Sequence, residues 1–440
     1  MASHTTLSPT FSPGARRPGF VQLFAGFVTG SVGILLRGGP GYWVWILSLL
    51  AVLANGLLAY REQLTVGLIT SNMRDPLSWA FYIGNFAYLV GVAAAAVILV
   101  IPAYVYRWKP IKQVVLYGEM MAISAIVMCI LFVTVDIGRP ERVWHMFPLV
   151  GNPNFPYSLL VWDVFVLSSY FALNYFVVSY LLYQGYAGRP YSQQLILPIV
   201  FLSIPVAIGI HTVTAFLFMG LKARAFWHTA VLAPRFLSSA FVAGPALMVI
   251  VFQVLRRTGH SDVPEAALRK IGELLAYAMA VDLFLLGAEV FNDFYARTAH
   301  SVHAELQWFG VHGLGQVAGW TWFALAANVS AFVVFLVPEL RRRLPLLTAA
   351  CVLAAAGTYV EKGLGLLLPG MSPDMLGEFY AYTPSRVELG VGAGIWALGA
   401  LLFTLMSRIG VAIEEGRLRH DRGASPAGNA GSAGEVEGHT

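Results

Sequence analysis

Ten apolar stretches, at about 42–60, 77–106, 114–135, 158–183, 193–220, 236–255, 271–291, 315–337, 344–368 and 386–409, follow one another with short polar connectors between them. Each is close to or beyond the roughly 20 residues that a helix needs to cross hydrocarbon. The longer ones must tilt or project into the headgroups. Inside a bilayer the backbone has no water to bond, so consecutive spans of this kind must be helices. A soluble fold could not hide this apolar surface: 58% of the 440 residues are hydrophobic and only 12% are charged. The expected fold is therefore an all-α polytopic membrane protein of about ten spans. An earlier run, Phe20 to Leu36, is short, is interrupted by Gln22, Thr29 and Ser31, and is followed at once by Arg37-Gly-Gly-Pro40-Gly. It reads as a helix lying on the membrane surface, with an extra span as the alternative. The chain thus divides into a tail and interfacial helix (1–41), a transmembrane domain (42–410) and a disordered tail (411–440) rich in Gly, Ala and Ser.

Orientation follows from the asymmetry of Lys and Arg. Of the 28 basic residues, 18 fall on the side of the two termini and 10 on the other, where Arg61, Arg74, Arg139, Arg142, Lys222, Arg224, Arg235, Arg297, Lys362 and Arg386 lie. Both termini are expected in the cytoplasm, and the connectors beginning at Arg61, Asp136, Leu221, Asn292 and Pro369 outside. A weak repeat with an offset of 154 residues aligns Gly118-Glu119 with Gly272-Glu273 and Asn174 with Asn328. A parallel duplication of this kind predicts two four-helix bundles, about 77–220 and 236–368, with the first and last spans flanking them.

The net charge of +5 is spread among loops and offers no surface for nucleic acid. Cys129 and Cys351 both lie in apolar runs, and no CxxC or Cys/His spacing occurs, so no iron–sulfur cluster or structural zinc is expected in this chain. His300, His303 and His312 have spacings that fit no standard metal site; a solvated face or a partner contact is the simpler reading. His211 alone lies clearly inside a span, so no haem with two axial histidines is expected.

Ionisable groups in or beside hydrocarbon are expensive and mark function. The connector Asp136-Ile-Gly138-Arg139-Pro140-Glu141-Arg142-Val-Trp144-His145 leads through a Pro/Asn loop to Trp162-Asp163. It is either a wall of a quinol site or a helix cap with an Arg–carboxylate network. On the expected topology His145, Asp163, His211 and Asp282 share the outer leaflet. Oxidising a quinol releases two electrons and two protons, and His and a partly buried Asp can take the protons. Trp144, Trp162 and Phe155 suit the ring and its tail. A packed His211 bonded to a helix carbonyl is the plain alternative. Glu119 and Glu273, at inner helix ends, either begin a proton path or simply complement the helix dipole. Arg61-Glu62 and Asn72-Met-Arg74-Asp75 are expected to form paired charges in an outer loop.

These residues also carry a resemblance. Arg61-Glu62-Gln63-Leu64, Asn72-Met73-Arg74-Asp75-Pro76-Leu77-Ser78-Trp79, the run Val90 to Ala96, Asp136-Ile137-Gly138-Arg139-Pro140-Glu141-Arg142 with His145, and Trp162-Asp163 are similar to the NrfD/polysulfide reductase membrane subunits, from Trp43 to Arg408. The ten-span form looks most like the branch with the menaquinol-oxidising P subunit linked to dissimilatory sulfite reductase. It also resembles a hydrogenase membrane subunit and the large membrane subunits of alternative complex III. The resemblance implies a haem-free menaquinol or menaquinone site on the outer side of a bacterial inner membrane. It implies a ferredoxin-like iron–sulfur partner docked there, with cytochrome c, molybdopterin or hydrogenase-type subunits beyond, in anaerobic respiration or sulfur metabolism. His145 and Asp163 match proposed quinol ligands, and Asp282 an Asp implicated in proton movement. Two other classes compete: a secondary transporter, since intramembrane Asp and His also mark those, and a passive anchor of a redox complex.

Overall fold

The computed structural model describes residues 19–420 except 101–102, 104–105, 107, 109–110, 112–113, 148–149, 260–262, 298–300 and 312. Most of both tails, His300, His312, Arg107, Lys109 and Lys112 lie outside the described residues. The chain is an all-helical polytopic membrane protein. Its helices are α1 (Phe20–Leu36), α2 (Pro40–Val66), α3 (Phe81–Ala93), α4 (Ala95–Val100), α5 (Val115–Asp136), α6 (Leu159–Tyr186) and α7 (Gln193–Met219). They continue as α8 (Leu232–Arg257), α9 (Glu265–Ala296), α10 (Ser301–Phe309), α11 (Gly315–Leu336), α12 (Leu344–Lys362), α13 (Leu364–Met371) and α14 (Arg386–Glu414). Nine stretches among the described residues are long and apolar enough to span: α2, α5 to α9, α11, α12 joined to α13, and α14. The remaining expected span, 77–106, contains α3 and α4 and runs into residues that are not described.

Packing groups the helices. Helix α5 lies between α3 and α6, and α6 packs on α7; α8 meets α9 and α12, and α11 joins α12 and α9. Helices α3 and α7 meet α8 between the two groups, while α2 and α14 pair outside and α14 leans on α5. Helix α14 does not stop at residue 410. It continues to Glu414, with Val411, Ala412 and Ile413 buried, and Leu418 packs on Gly30 of α1. The apolar contacts hold a segment that its neighbours in sequence would suggest is loose.

Small residues set the closest contacts, as expected where lipid tails compete with apolar side chains. A Cβ on Gly56 of α2 would stand 2.6 Å from the Gly394 Cα of α14. A break at Gly363 ends α12 at Lys362, and Gly84 of α3 lies against that break, 3.2 Å from a built Cβ to the Gly363 Cα. At the end carrying Ser71, Asp136 and Ser385, here the upper end, α14 begins with a capping box in which Ser385 and Glu388 satisfy each other's backbone N–H groups. Glu388 also accepts from Tyr382 Oη at 2.5 Å and from the Asn72 N–H at 3.1 Å. That contact organises the loop after α2. Arg61, Glu62, Arg74 and Asp75 form no ion pair among the described residues, so the expected charge pairing is replaced by a buried carboxylate.

These contacts lead to two expected outcomes. Gly56→Ala must push two backbones apart and is expected to cost about 1–3 kcal/mol, read as a lower melting temperature in detergent. Gly33→Ala, where a Cβ meets nothing within 4 Å, is expected to be near neutral. The second concerns the upper loop at Asp374. Its carboxylate is held below the usual range by the Glu378 N–H first, and also by the Leu376 N–H and the Tyr380 hydroxyl. A depressed carboxyl stabilises above its ordinary value near 3.9 and loses that contribution as pH falls through the lower folded value. Hydrogen exchange at the Leu376 and Glu378 amides should therefore stay protected near neutrality and open only in strong acid. Asp374→Ala should remove the protection at every pH.

Candidate functional site

The Gly-Arg-Pro connector folds from local chemistry. Gly138 has φ of +74°, a conformation glycine adopts freely, and Pro140 opens a 3₁₀ helix from Pro140 to Met146. This turns Arg139, Glu141, Arg142, Trp144 and His145 toward the surroundings, at least partly exposed. Arg139 faces Glu141 at 3.6 Å on an open surface, a pair of little energetic weight. His145 stacks on Trp144, with ring centroids 3.8 Å apart, and Phe155 lies 4.6 Å from Trp162. Trp162 Nε1 donates to the Pro156 carbonyl. The expected aromatic wall is thus on the surface, and no contact joins His145 to Asp163. Asp136 closes α5, and its Oδ1 is buried with no hydrogen-bond partner among the described residues.

Beneath the connector the first bundle holds a compact polar group. Ser158 caps α6 by accepting from the Val161 N–H, and Asp163 follows one turn inside, 1% exposed. Thr214 Oγ1 of α7 donates to Asp163 Oδ1 at 2.7 Å. One turn back along α7, His211 is fully buried, and its Nδ1 lies 2.8 Å from the Ala207 carbonyl. A carbonyl can only accept, so Nδ1 carries a hydrogen. Nε2 has no completed hydrogen bond, although the Val90 carbonyl of α3 is nearby. At the opposite end of α5, Glu119 is buried, with Oε2 unpartnered among the described residues. Asn174 of α6 donates to the Tyr170 carbonyl.

The second bundle is built differently. Arg235 of α8 pairs with Glu289 of α9 and with Glu361 of α12, the latter at 2.5 Å. Asn328 of α11 donates to the other Glu361 oxygen at 3.0 Å. A Cβ on Gly357 would lie 2.2 Å from Asn328 Oδ1, so glycine there admits the amide. Ser238, one turn beyond Arg235, donates to Asp282 Oδ1 at 2.8 Å. Lys362 is buried and donates to the Phe236 carbonyl at 2.9 Å. It lies 3.2 Å from the Cβ position of Gly91 on α3, so it stands where the bundles meet. Glu273 is different: it faces Lys270 one turn away at the surface.

The matching family model, Polysulphide reductase, NrfD, covers residues 70–371. The chain belongs to this family. A relative from Halobacterium salinarum, provisionally named as a membrane subunit of dimethyl sulfoxide reductase, is 28% identical over 88% of this chain and 92% of its own length. A selenate reductase subunit of Mesobacillus selenatarsenatis is 23% identical over 82% of this chain and 91% of its own. The Hdr-like menaquinol oxidoreductase integral membrane subunit of Archaeoglobus fulgidus is 24% identical over 85% and 94%. NrfD-family chains of this kind are membrane subunits of multi-subunit oxidoreductases, and partner subunits are implied.

For this NrfD-family chain, sequence reasoning counts Arg235 and Lys362 only as basic residues of the outer side and does not single them out, yet both are buried. The available signal is Glu361-Lys362 side by side within an apolar run, too costly to leave unpaired in hydrocarbon. Glu388 likewise escapes the sequence reading, although Ser385-Arg-Val-Glu388 is a legible capping box. His303 is buried, with Nδ1 at 2.6 Å from the Pro369 carbonyl, a packing role. Among the described residues no group of His, Cys, Asp or Glu could hold a metal ion.

Removing one member of a buried ion pair typically costs about 3–5 kcal/mol. Arg235→Met is therefore expected to lower thermal stability in detergent sharply, since Glu289 and Glu361 both lose their cation. Arg235→Lys should fall between, because an ammonium cannot reproduce the planar fork. A melting curve of Arg235→Met that overlays wild type would dismiss the network as a structural element.

Proposed function

We propose that the chain is the quinol-oxidising membrane subunit of a respiratory complex, working at the upper end of the first bundle. The observation that carries this reading is the buried Asp163–Thr214 pair with His211, whose Nε2 has no completed hydrogen bond, one turn away. In this reading the upper end faces the outside of a bacterial inner membrane. An iron–sulfur subunit docks over the exposed connector, and the ligand is menaquinol, which the name of the Archaeoglobus relative supports.

The chemistry asked of the protein is modest. A quinol gives up two electrons and two protons. The electrons pass to the acceptor in the partner subunit. Thr214 donates to one oxygen of Asp163 and leaves the other to accept a quinol hydroxyl hydrogen. His211 supplies a second acceptor, since its tautomer is fixed by Ala207. Trp144, His145 and Trp162 sit at the entrance, where aromatic rings can guide the ring of the ligand. Asp282 and Glu119 belong to proton movement in this scheme, Asp282 through Ser238 and the neighbouring Lys362. Glu273 contributes only a surface ion pair.

Turnover of the purified complex with a menaquinol analogue tests the reading. Asp163→Asn keeps the shape but loses the proton acceptor, and kcat should fall about 10²-fold or more, the usual weight of general-base catalysis. His145→Ala should raise KM more than it lowers kcat, since that side chain is at the entrance. Both must be compared at equal partner content. Unchanged turnover in Asp163→Asn would sink the proposal and leave the chain as an anchor or a transporter.

A further inference from the structure

Residues 372–385 join α13 to α14 at the upper end. Arg224, just beyond α7, fixes the foot of this loop by donating to the Met371 carbonyl at 2.6 Å and to the Pro76 carbonyl at 2.8 Å. The foot thus stands beside the outer end of the helix that carries His211 and Thr214.

Above the foot the backbone folds on itself. The Gly377 N–H donates to the Asp374 carbonyl at 3.1 Å, and the Asp374 N–H donates to the Glu378 carbonyl at 3.0 Å. The Asp374 carboxylate accepts from the Leu376 and Glu378 N–H groups, both at 2.9 Å. Gly377 has φ of +81°, which closes the turn without a steric penalty. The Tyr380 N–H donates to Ser372 Oγ, so the turn is also tied to its own base.

What this turn holds out is Met375 and Leu376, 77% and 84% exposed. The hydrogen bonds above come from the backbone, Asp374 and Ser372, and none of them needs two large aliphatic side chains at the tip. Polar residues are the usual occupants of such a turn. Apolar side chains that stand together outside the fold mark a contact.

Charge decides between the surfaces that could cover the tip. Asp374 and Glu378 flank the aliphatic pair on either side. A lipid surface would receive the pair only by bringing both carboxylates into the layer of headgroup phosphates, where like charge repels them. A protein surface can set Lys or Arg opposite them, as interfaces commonly do at the rim. Aliphatic side chains already ordered by backbone bonds also lose less freedom on entering a pocket.

We propose that Met375 and Leu376 form a docking knob for the extramembrane partner subunit, received by an apolar pocket with Lys or Arg at its rim. This rests on the preceding reading, in which a partner subunit covers the upper end, and adds a contact outside the Gly-Arg-Pro connector. The test uses the whole complex. A photoreactive benzoylphenylalanine replaces Leu376 in one strain and Tyr157, 84% exposed on the connector, in another. Illumination in membranes should join position 376 to a subunit that has no membrane span and is present one to one with this chain. Leu376→Ser should speed loss of that subunit from the immobilised complex about tenfold, the weight of an interface hot spot. Leu376→Met should stay near wild type. Asp374→Ala keeps both aliphatic side chains but loosens the turn, and should speed the loss about threefold. Asp163→Asn should change neither the cross-link nor the loss, so the quinol site and the knob stand or fall separately. A cross-link from position 376 to phospholipid alone, or to nothing while position 157 captures the subunit, would overturn the proposal, as would a wild-type rate of loss in Leu376→Ser. Failure of both positions to capture a subunit would overturn the docking reading along with it.

Discussion

The second bundle depends on one guanidinium. Arg235 carries a charge within the helical packing and meets carboxylates from two other helices. Moving any of these ions out of water is costly, and their mutual attraction offsets that cost only where geometry and further hydrogen bonds are good. The surrounding sequence supplies those conditions. Asn328 completes Glu361, Gly357 leaves room for Asn328, and the turn after Arg235 places Ser238 on Asp282. Four helices are thereby held in one register by polar contacts, which lipid-facing apolar packing alone specifies poorly.

The first bundle meets the same medium with another solution. Asp163 has a hydroxyl donor where the second bundle has a guanidinium, and Glu119 Oε2 has no hydrogen-bond partner among the described residues. Such groups give up stability, and they persist where their reactivity is used. The weak repeat makes the contrast sharper. Asn174 bonds a carbonyl of its own helix, while Asn328, at the matching position, reaches across to Glu361. Glu119 is buried, while Glu273 sits in a surface pair with Lys270. Residues 154 apart thus differ in their partners, with Asn328 in the Arg235 charge network and Asn174 on its own helix. Lys362 touches both, since the break at Gly363 delivers it to the seam beside Gly91.

The spans and the fold class were legible because hydrocarbon imposes a length and a composition that survive any tertiary detail. The burial of Asp163 was legible for a related reason: a carboxyl one turn into an apolar run lies within the span. The side chains of the connector were not. Trp144 is 48% exposed and Tyr157 84% exposed, and no rule on the sequence says which way a loop aromatic turns. That depends on Gly138 and Pro140 setting the 3₁₀ turn. The charge tally is silent on the burial of Arg235 and Lys362 because it counts cations by position along the chain. It cannot see that carboxylates on two other helices meet Arg235, or that the Phe236 carbonyl meets Lys362.

Depth finally separates the two exits open to a proton at Asp163. The residue is the fifth of α6, so about 6 Å of helix lies between it and the upper boundary at 1.5 Å per residue. In the other direction the same buried face continues through Tyr170 and Asn174, about 10 and 16 Å further down. Those steps exceed a hydrogen bond, and passage along them requires water between the polar groups. Upward release crosses one such step. If quinol is oxidised at Asp163 and its acceptor docks at the upper end, as proposed, the short path returns its protons to that same side. The denser set of buried polar contacts lies in the second bundle, where Ser238 meets Asp282 and Arg235 meets Glu289 and Glu361.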